Sequence, residues 1–157
     1  MLTIHHVESH EEIATVRALF QEYQASLGID LCFQDFAAEL SGLPGAYAPP
    51  RGRLLLALSG TPPVGCVALR AVDGSRCEMK RLFVRSDARG LGAGRALVAR
   101  VMDEARTIGY EEVVLDTLPT MTNAQQLYQV LGFRDIPPYR ANPVEGTRYL
   151  GRSLLET

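Results

Sequence analysis

Apolar and polar positions change period several times along the chain. "LTIHHV" alternates as a first strand does. Ser9 and Glu12 form an S-x-x-E capping box, and Ile13, Val16, Phe20, Tyr23 and Leu27 follow at helical spacing until Gly28 stops the run. A short helix is expected in "FQDFAAELSG", and "YAPPRG" is a stiff loop because each proline restrains itself and the residue before it. "RLLLALSGTPPVGCVALRAV" reads as two strands joined by a Gly/Pro turn, and "RCEMKRLFV" as a third strand behind the turn at Asp73 and Gly74. From Leu91 the period becomes helical: Leu97, Val98, Val101, Met102, Ala105 and Ile108 share a face, and Gly109 stands at the C-terminal stop. "EEVVLDTL" is the next strand, "NAQQLYQVLG" the next helix and "TRYLGRSLL" a closing strand. This order implies an α/β fold with one mixed central sheet flanked by helices, and parallel pairing around the central helix. No repeat or linker-like shift divides the chain, so residues 1–157 read as one domain.

Composition narrows the class. A chain of 157 residues, 46% hydrophobic and 22% charged, is globular rather than fibrous or disordered. No apolar run approaches the roughly 20 residues that cross a bilayer, and "MLTIHHVESHEE" lacks a basic region followed by an apolar stretch. A cytoplasmic protein with no membrane partner is therefore expected. Cys32, Cys66 and Cys77 sit among apolar neighbours without C-x-x-C spacing and read as buried reduced thiols. His5, His6 and His10 lack a spaced partner set, so no metal is expected. A net charge of −2 gives no reason to expect a nucleic-acid partner. Its distribution is uneven, because Arg76, Lys80, Arg81, Arg85, Arg89, Arg95 and Arg100 face only Glu78 and Asp87, which makes residues 76–100 +5 and the remainder −7. Such a run is either a solvated helix face or a site for an anion.

The stretch "RLFVRSDARGLGAGRAL" favours the anion. Gly90, Gly92 and Gly94 remove three β-carbons where the central helix begins, at about 1 kcal/mol each relative to alanine in a helix. A helix start offers unpaired N–H groups and partial positive charge, and glycines let a pyrophosphate approach them. The P-loop pattern fails, because Arg95-Ala96 stand where Lys-Ser or Lys-Thr belongs. The dinucleotide pattern G-x-G-x-x-G finds Gly90, Gly92 and a plausible ribose acid in Asp116, but its third glycine is Arg95 and five residues separate Val84 from Gly90. The pattern R-x-x-G-x-G is complete in Arg89, Gly92 and Gly94.

With that pattern the chain resembles the GNAT superfamily of acyl-coenzyme A-dependent N-acyltransferases, from about Cys77 to Ile136. "NAQQLYQVLGF", Asn123 to Phe133, is similar to a second segment of the family, and Ser86 departs from a frequent proline. The resemblance implies a GNAT-like fold with acetyl-coenzyme A as donor. The reaction implied is direct acetyl transfer to the primary amine of a small molecule or a protein. It implies that the backbone of Leu82, Phe83 and Val84 holds the pantetheine arm, while Arg89, Gly90, Leu91, Gly92, Ala93, Gly94 and Arg95 surround the pyrophosphate. Asn123 is implied as a cofactor contact, and reads equally as a helix N-cap. Tyr128 matches a general acid that touches the cofactor and protonates the departing thiolate; its spacing also suits core packing with Leu127 and Leu131. Glu78 matches a position that carries the base in some of these enzymes, needed because an alkylamine is mostly protonated at pH 7. Its alternatives are a structural ion pair, with Lys80 for instance, or a contact to the acceptor's cation. Simple alternation sets Glu78, Lys80 and Leu82 on one face unless a bulge intervenes. Backbone N–H groups near Leu82 to Val84 would face the oxyanion.

The acceptor pocket is expected between the first two helices and "IPPYRANPVEG", walled by Tyr23, Phe33, Phe36, Tyr47 and Tyr139. The −7 remainder suits a cationic acceptor. Two other classes stay open: an acyl-coenzyme A sensor without turnover, and a nicotinamide oxidoreductase. A homodimer through an exposed closing strand is open as well.

Overall fold

The computed structural model describes residues 2–27, 35–60, 63–88 and 90–155. The alternating runs form β1 (Thr3–His6), β2 (Arg53–Leu58), β3 (Pro63–Ala71), β4 (Arg76–Val84), β5 (Glu112–Thr117), β6 (Arg134–Asp135) and β7 (Arg148–Ser153). The helical runs form α1 (His10–Leu27), α2 (Phe36–Ser41), α3 (Ala93–Ile108) and α4 (Thr122–Val130). One sheet has the order β1-β2-β3-β4-β5-β7-β6, and every neighbour is antiparallel except β4 and β5. Their parallel pairing follows from α3, which carries the chain back to the start of the sheet.

Each face of the sheet buries its own core. Val16, Leu19 and Phe20 of α1 and Phe36 of α2 pack on Leu54, Leu56, Cys66 and Ala68. Leu97, Val98 and Val101 of α3 and Tyr128 of α4 pack on Leu55, Val67, Leu69, Cys77, Met79, Val113 and Leu115. The two-residue period of the strands therefore sorts directly into the two layers. The capping box forms as expected: Glu12 N–H donates to Ser9 Oγ at 3.1 Å and Ser9 N–H to Glu12 Oε1 at 3.0 Å. α3 ends at Gly109 with φ 108°, a left-handed stop that glycine adopts without strain.

Two irregularities of β4 open the sheet and turn its side chains. The pairing of β4 with β5 covers only Arg76, Cys77 and Glu78, against Glu112, Val113 and Val114; beyond Glu78 the two strands diverge. Opposite β3, Ala68 pairs with Lys80 and Cys66 with Phe83, so β4 carries one extra residue, Arg81, at φ 59°. This bulge reverses the alternation. Leu82 and Val84 consequently join the α3 face, and Phe83 turns to α1, so Leu82 lies on the face opposite Glu78 rather than beside it. Arg81 is locked there: it donates to both Glu39 oxygens at 2.9 and 2.8 Å and stacks over Phe36 at 5.0 Å.

The closing strand β7 is not the last strand of the sheet. It pairs with β5 on one side and, at Leu150 and Gly151, with the two-residue β6 on the other, so the sheet ends on β6 rather than on the closing strand.

Candidate active site

The α3 corner is open, as its glycines require. Gly90 (φ 95°) and Gly92 (φ 73°) adopt left-handed backbone, and Gly92 caps α3 without any side-chain cap. The first N–H of this helix to be bonded is that of Ala96, to Gly92 O at 3.0 Å. The amides of Ala93, Gly94 and Arg95 therefore point outward without an intrahelical partner. Beside them a cavity of about 580 Å³ is lined by Leu82, Phe83, Val84, Gly94, Asn123 and Leu127, among others. A β-carbon at Gly94 would already touch Leu127 Cδ2 at 3.5 Å. Leu91 is 51% exposed, Arg95 is exposed, and Ala93 is buried under the turn. Arg89 lies outside the described residues. Asn123 is not an N-cap; that position is Met121, and Asn123 sits in the first turn of α4 facing the cavity.

The basic run is not a phosphate patch as a whole. Arg76 pairs with Asp73 at 2.9 Å, Arg81 with Glu39 at 2.8 Å, Arg85 with Glu22 at 3.0 Å and Arg100 with Glu104 at 2.9 Å. Acids from the remainder of the chain thus pair with these four arginines, while Arg95 stands exposed at the helix start.

Where β4 and β5 part, a narrow cleft of about 40 Å³ runs through the sheet. Met79, Leu82, Leu115 and Tyr128 line it on the α3 side, and Tyr23, Lys80, Arg81, Asp116 and Asn142 on the α1 side. Tyr128 is 4% exposed, its ring lies 5.6 Å from Phe133, and its hydroxyl makes no hydrogen bond among the described residues. Burial pushes this phenol well above its usual value, which keeps its proton in place at neutral pH. Core packing and an acid's position coincide in this one side chain. Lys80 is lowered to about 8, by burial first and then by Arg81, with Arg140 and Arg70 acting the same way against Glu78.

Glu78 is fully buried and both of its oxygens are taken. Arg70 Nε donates to Oε1 at 2.9 Å, while the Tyr139 hydroxyl, at 2.6 Å, and Arg140 Nη2 both donate to Oε2. Arg140 also lies 3.5 Å from Asp116 Oδ2, which accepts from Asn142 at 3.2 Å. The segment between β6 and β7 is thereby strapped across both diverging strands. Tyr149 holds it further, through its hydroxyl bond to Arg140 O at 2.8 Å and an edge-on contact with Tyr139.

Among the expected walls, Tyr23 lines the cleft and Tyr139 holds Glu78, while Phe36 and Tyr47 belong to the α1 core. Phe33 and Cys32 lie outside the described residues. The segment expected at the acceptor pocket supplies Asn142 to the cleft and Arg140 to Glu78 and Asp116; what local spacing did not show is that Arg140 joins Glu78 to Asp116. Lys80 had one available signal: it is the single lysine of the chain, beside fifteen arginines. Cys66 and Cys77 are buried free thiols. Among the described residues, no group of three or more His, Cys, Asp and Glu could hold a metal, and no helix is long and apolar enough to cross a membrane.

Residues 13–133 match the model of the acetyltransferase (GNAT) family. An uncharacterized N-acetyltransferase of Schizosaccharomyces pombe is 38% identical over 95% of this chain and 93% of its own length. A second uncharacterized N-acetyltransferase, from Dictyostelium discoideum, is 32% identical over 87% of this chain and 92% of its own. The crystal structure of a GNAT-family acetyltransferase from Staphylococcus aureus superposes with a TM-score of 0.82 at 21% identity, covering 98% of this chain and 99% of that one. The open helix start, the diverging strands and these relatives lead to one conclusion: the chain belongs to the GNAT family of acetyltransferases.

Proposed function

We propose that this protein transfers the acetyl group of acetyl-coenzyme A to a primary amine by direct attack. The observation that carries the reading is the adjacency of its parts: amides without an intrahelical partner at the start of α3, the 580 Å³ cavity beside them, and the cleft lined by Tyr128, which shares Leu82 and Met121 with that cavity.

The residues present fit the donor. The amides of Ala93, Gly94 and Arg95 take the pyrophosphate, with Gly90, Leu91 and Gly92 forming the turn before them, and Arg89 is assigned to the same anion by its place in the R-x-x-G-x-G pattern. Leu82, Phe83 and Val84 hold the pantetheine arm along the part of β4 that β5 no longer covers, and Asn123 closes over it from α4. The donor supplies an electrophilic thioester carbon. As the acceptor nitrogen bonds to that carbon and the C–S bond breaks, backbone N–H groups of β4 face the developing oxyanion. Tyr128 gives its proton to the departing sulfur. Glu78 receives the ammonium proton, which requires the Tyr139 hydroxyl and the Arg140 guanidinium to yield its Oε2. The opposite order of events, with the strap held closed, describes a sensor that binds donor without turnover.

An amine panel with acetyl-coenzyme A, scored by free thiol release, tests this. At least one amine should be acetylated, and Tyr128→Phe should lower its turnover about 100-fold with donor affinity kept. Binding of donor with no turnover of any amine selects the sensor, and an unchanged rate in Tyr128→Phe removes the acid.

A further inference from the structure

Arg140 stands between two carboxylates, one from each of the strands that part. Its Nη2 donates to Glu78 Oε2, and its Nε lies 3.5 Å from Asp116 Oδ2. Glu78 is paired with Val114 in the register of β4 with β5, and Asp116 follows two residues later, so both carboxylates project from one face of the sheet. The cation between them comes from neither strand.

It is brought by the strap between β6 and β7, whose backbone is held without it. The Tyr149 hydroxyl donates to Arg140 O at 2.8 Å, Val144 N–H to Asn142 Oδ1 at 2.9 Å and the Thr147 hydroxyl to Val144 O at 2.7 Å. The guanidinium can therefore leave while the strap stays in place. Its side chain is 26% exposed, against 13% for Asp116 and 0% for Glu78, so solvent reaches it more readily than either carboxylate. Asp116, and Asn142 which donates to it at 3.2 Å, also line the cleft with Tyr128. The place that Arg140 holds is thus next to the reaction cleft, and it suits a cation with N–H donors: two carboxylate oxygens, and the face of the Tyr139 ring at 5.5 Å. A primary ammonium brings the same charge and similar donors in a smaller volume. Exchanging one cation for the other leaves the charge of the region as it was, whatever else surrounds it.

We propose that Arg140 is an internal stand-in for the acceptor's ammonium, and that the acceptor docks by displacing it from Glu78 and Asp116. The inference rests on the transferase reading and adds the place where the amine binds, with Asp116 as a second residue that positions it and the strap as its competitor. The docked ammonium gives one proton to Glu78 Oε2 and keeps its lone pair for the thioester carbon. A site filled by its own stand-in for about nine-tenths of the time weakens the apparent affinity for the acceptor about tenfold. Affinity for the donor is unaffected, because Arg140 takes no part in the donor site.

The experiment uses the amine acetylated fastest by the unaltered protein. In Arg140→Gln its KM should fall about tenfold, with KM for acetyl-coenzyme A unchanged; misfolding does not lower a KM. Methylguanidinium should compete with the amine in Arg140→Gln at concentrations that leave the unaltered protein uninhibited. It should also raise Tm of the variant and not of the unaltered protein, while tetramethylammonium, which has no N–H, should raise neither. Should Arg140→Gln fail to fold, the unaltered protein carries the test: the amine should speed trypsin cleavage after Arg140, corrected for its effect on trypsin with a reference peptide, and coenzyme A alone should not. A KM for the amine that rises or stays the same in Arg140→Gln, methylguanidinium without effect on that variant, or cleavage after Arg140 that the amine leaves unchanged would each overturn the inference while acetylation still stands. If coenzyme A failed to bind, or no amine were acetylated, the transferase reading would fall, and the inference with it.

Discussion

Replacing Arg81 by alanine tests how the bulge in β4 is held. The Arg81 side chain is 2% exposed and donates two hydrogen bonds to Glu39, itself 16% exposed. Removing one partner of a buried pair costs about 3–5 kcal/mol, because the other charge stays behind. At 157 residues each kcal/mol corresponds to roughly 2–4 °C, so Tm should fall by about 6–20 °C. Two internal controls come from the same geometry. Arg81 sits at φ 59°, where any L-residue is strained by roughly 1–2 kcal/mol and glycine is not; Arg81→Gly should therefore be more stable than Arg81→Ala, the reverse of the usual order in a strand. The second control is pH. Burial raises the Glu39 carboxyl, but the hydrogen bonds and charge of Arg81 outweigh it and hold the carboxyl below its usual value. A lowered carboxylate contributes stability above its unfolded pKa and loses it as pH falls through the folded value. The deficit of Arg81→Ala should accordingly narrow as pH drops below about 4.3. Urea denaturation at several pH values measures all three effects. A deficit below 1 kcal/mol, alanine more stable than glycine, or a deficit independent of pH would refute the reasoning.

Gly94→Val should raise KM for acetyl-coenzyme A at least tenfold with a smaller change in kcat, since its β-carbon already meets Leu127 at 3.5 Å and the added methyls enter the donor cavity; steady-state kinetics with varied donor would show it. Glu78→Gln should lower kcat at least tenfold with KM for the donor kept, and an unchanged kcat would take the base role from Glu78. The same substitution leaves Arg70 and Arg140 facing a neutral amide, so cleavage of the strap near Arg140 by trypsin should become faster in timed digests.

The elements were legible because their causes are local. The capping box at Ser9 and Glu12, the left-handed stop at Gly109 and the period change at Leu91 each act within one or two turns of chain. So do the glycines at the α3 corner, whose open amides the structure retains. What escaped depends on contacts between distant segments. The bulge at Arg81 is held by Glu39, forty-two residues earlier, and without it alternation puts Leu82 on the wrong face. The partners of Glu78 are Arg70 from β3 and Tyr139 and Arg140 from the strap, none of which its own strand announces. The insertion of β7 between β5 and β6 likewise follows from packing rather than from the pattern of β7. Charge pairing was hidden for a related reason: Arg76, Arg81, Arg85 and Arg100 of the basic run find their acids in Asp73, Glu39, Glu22 and Glu104, and of these Glu39 and Glu22 are distant in sequence.

The most direct measurement is an amide-resolved NMR titration of the protein with coenzyme A. Saturable binding is expected, with the largest shifts on the N–H groups of Ala93, Gly94 and Arg95 and a second group at Leu82, Phe83 and Val84. Saturation with those amides unmoved, or no binding at low ionic strength, would contradict a donor site at the start of α3.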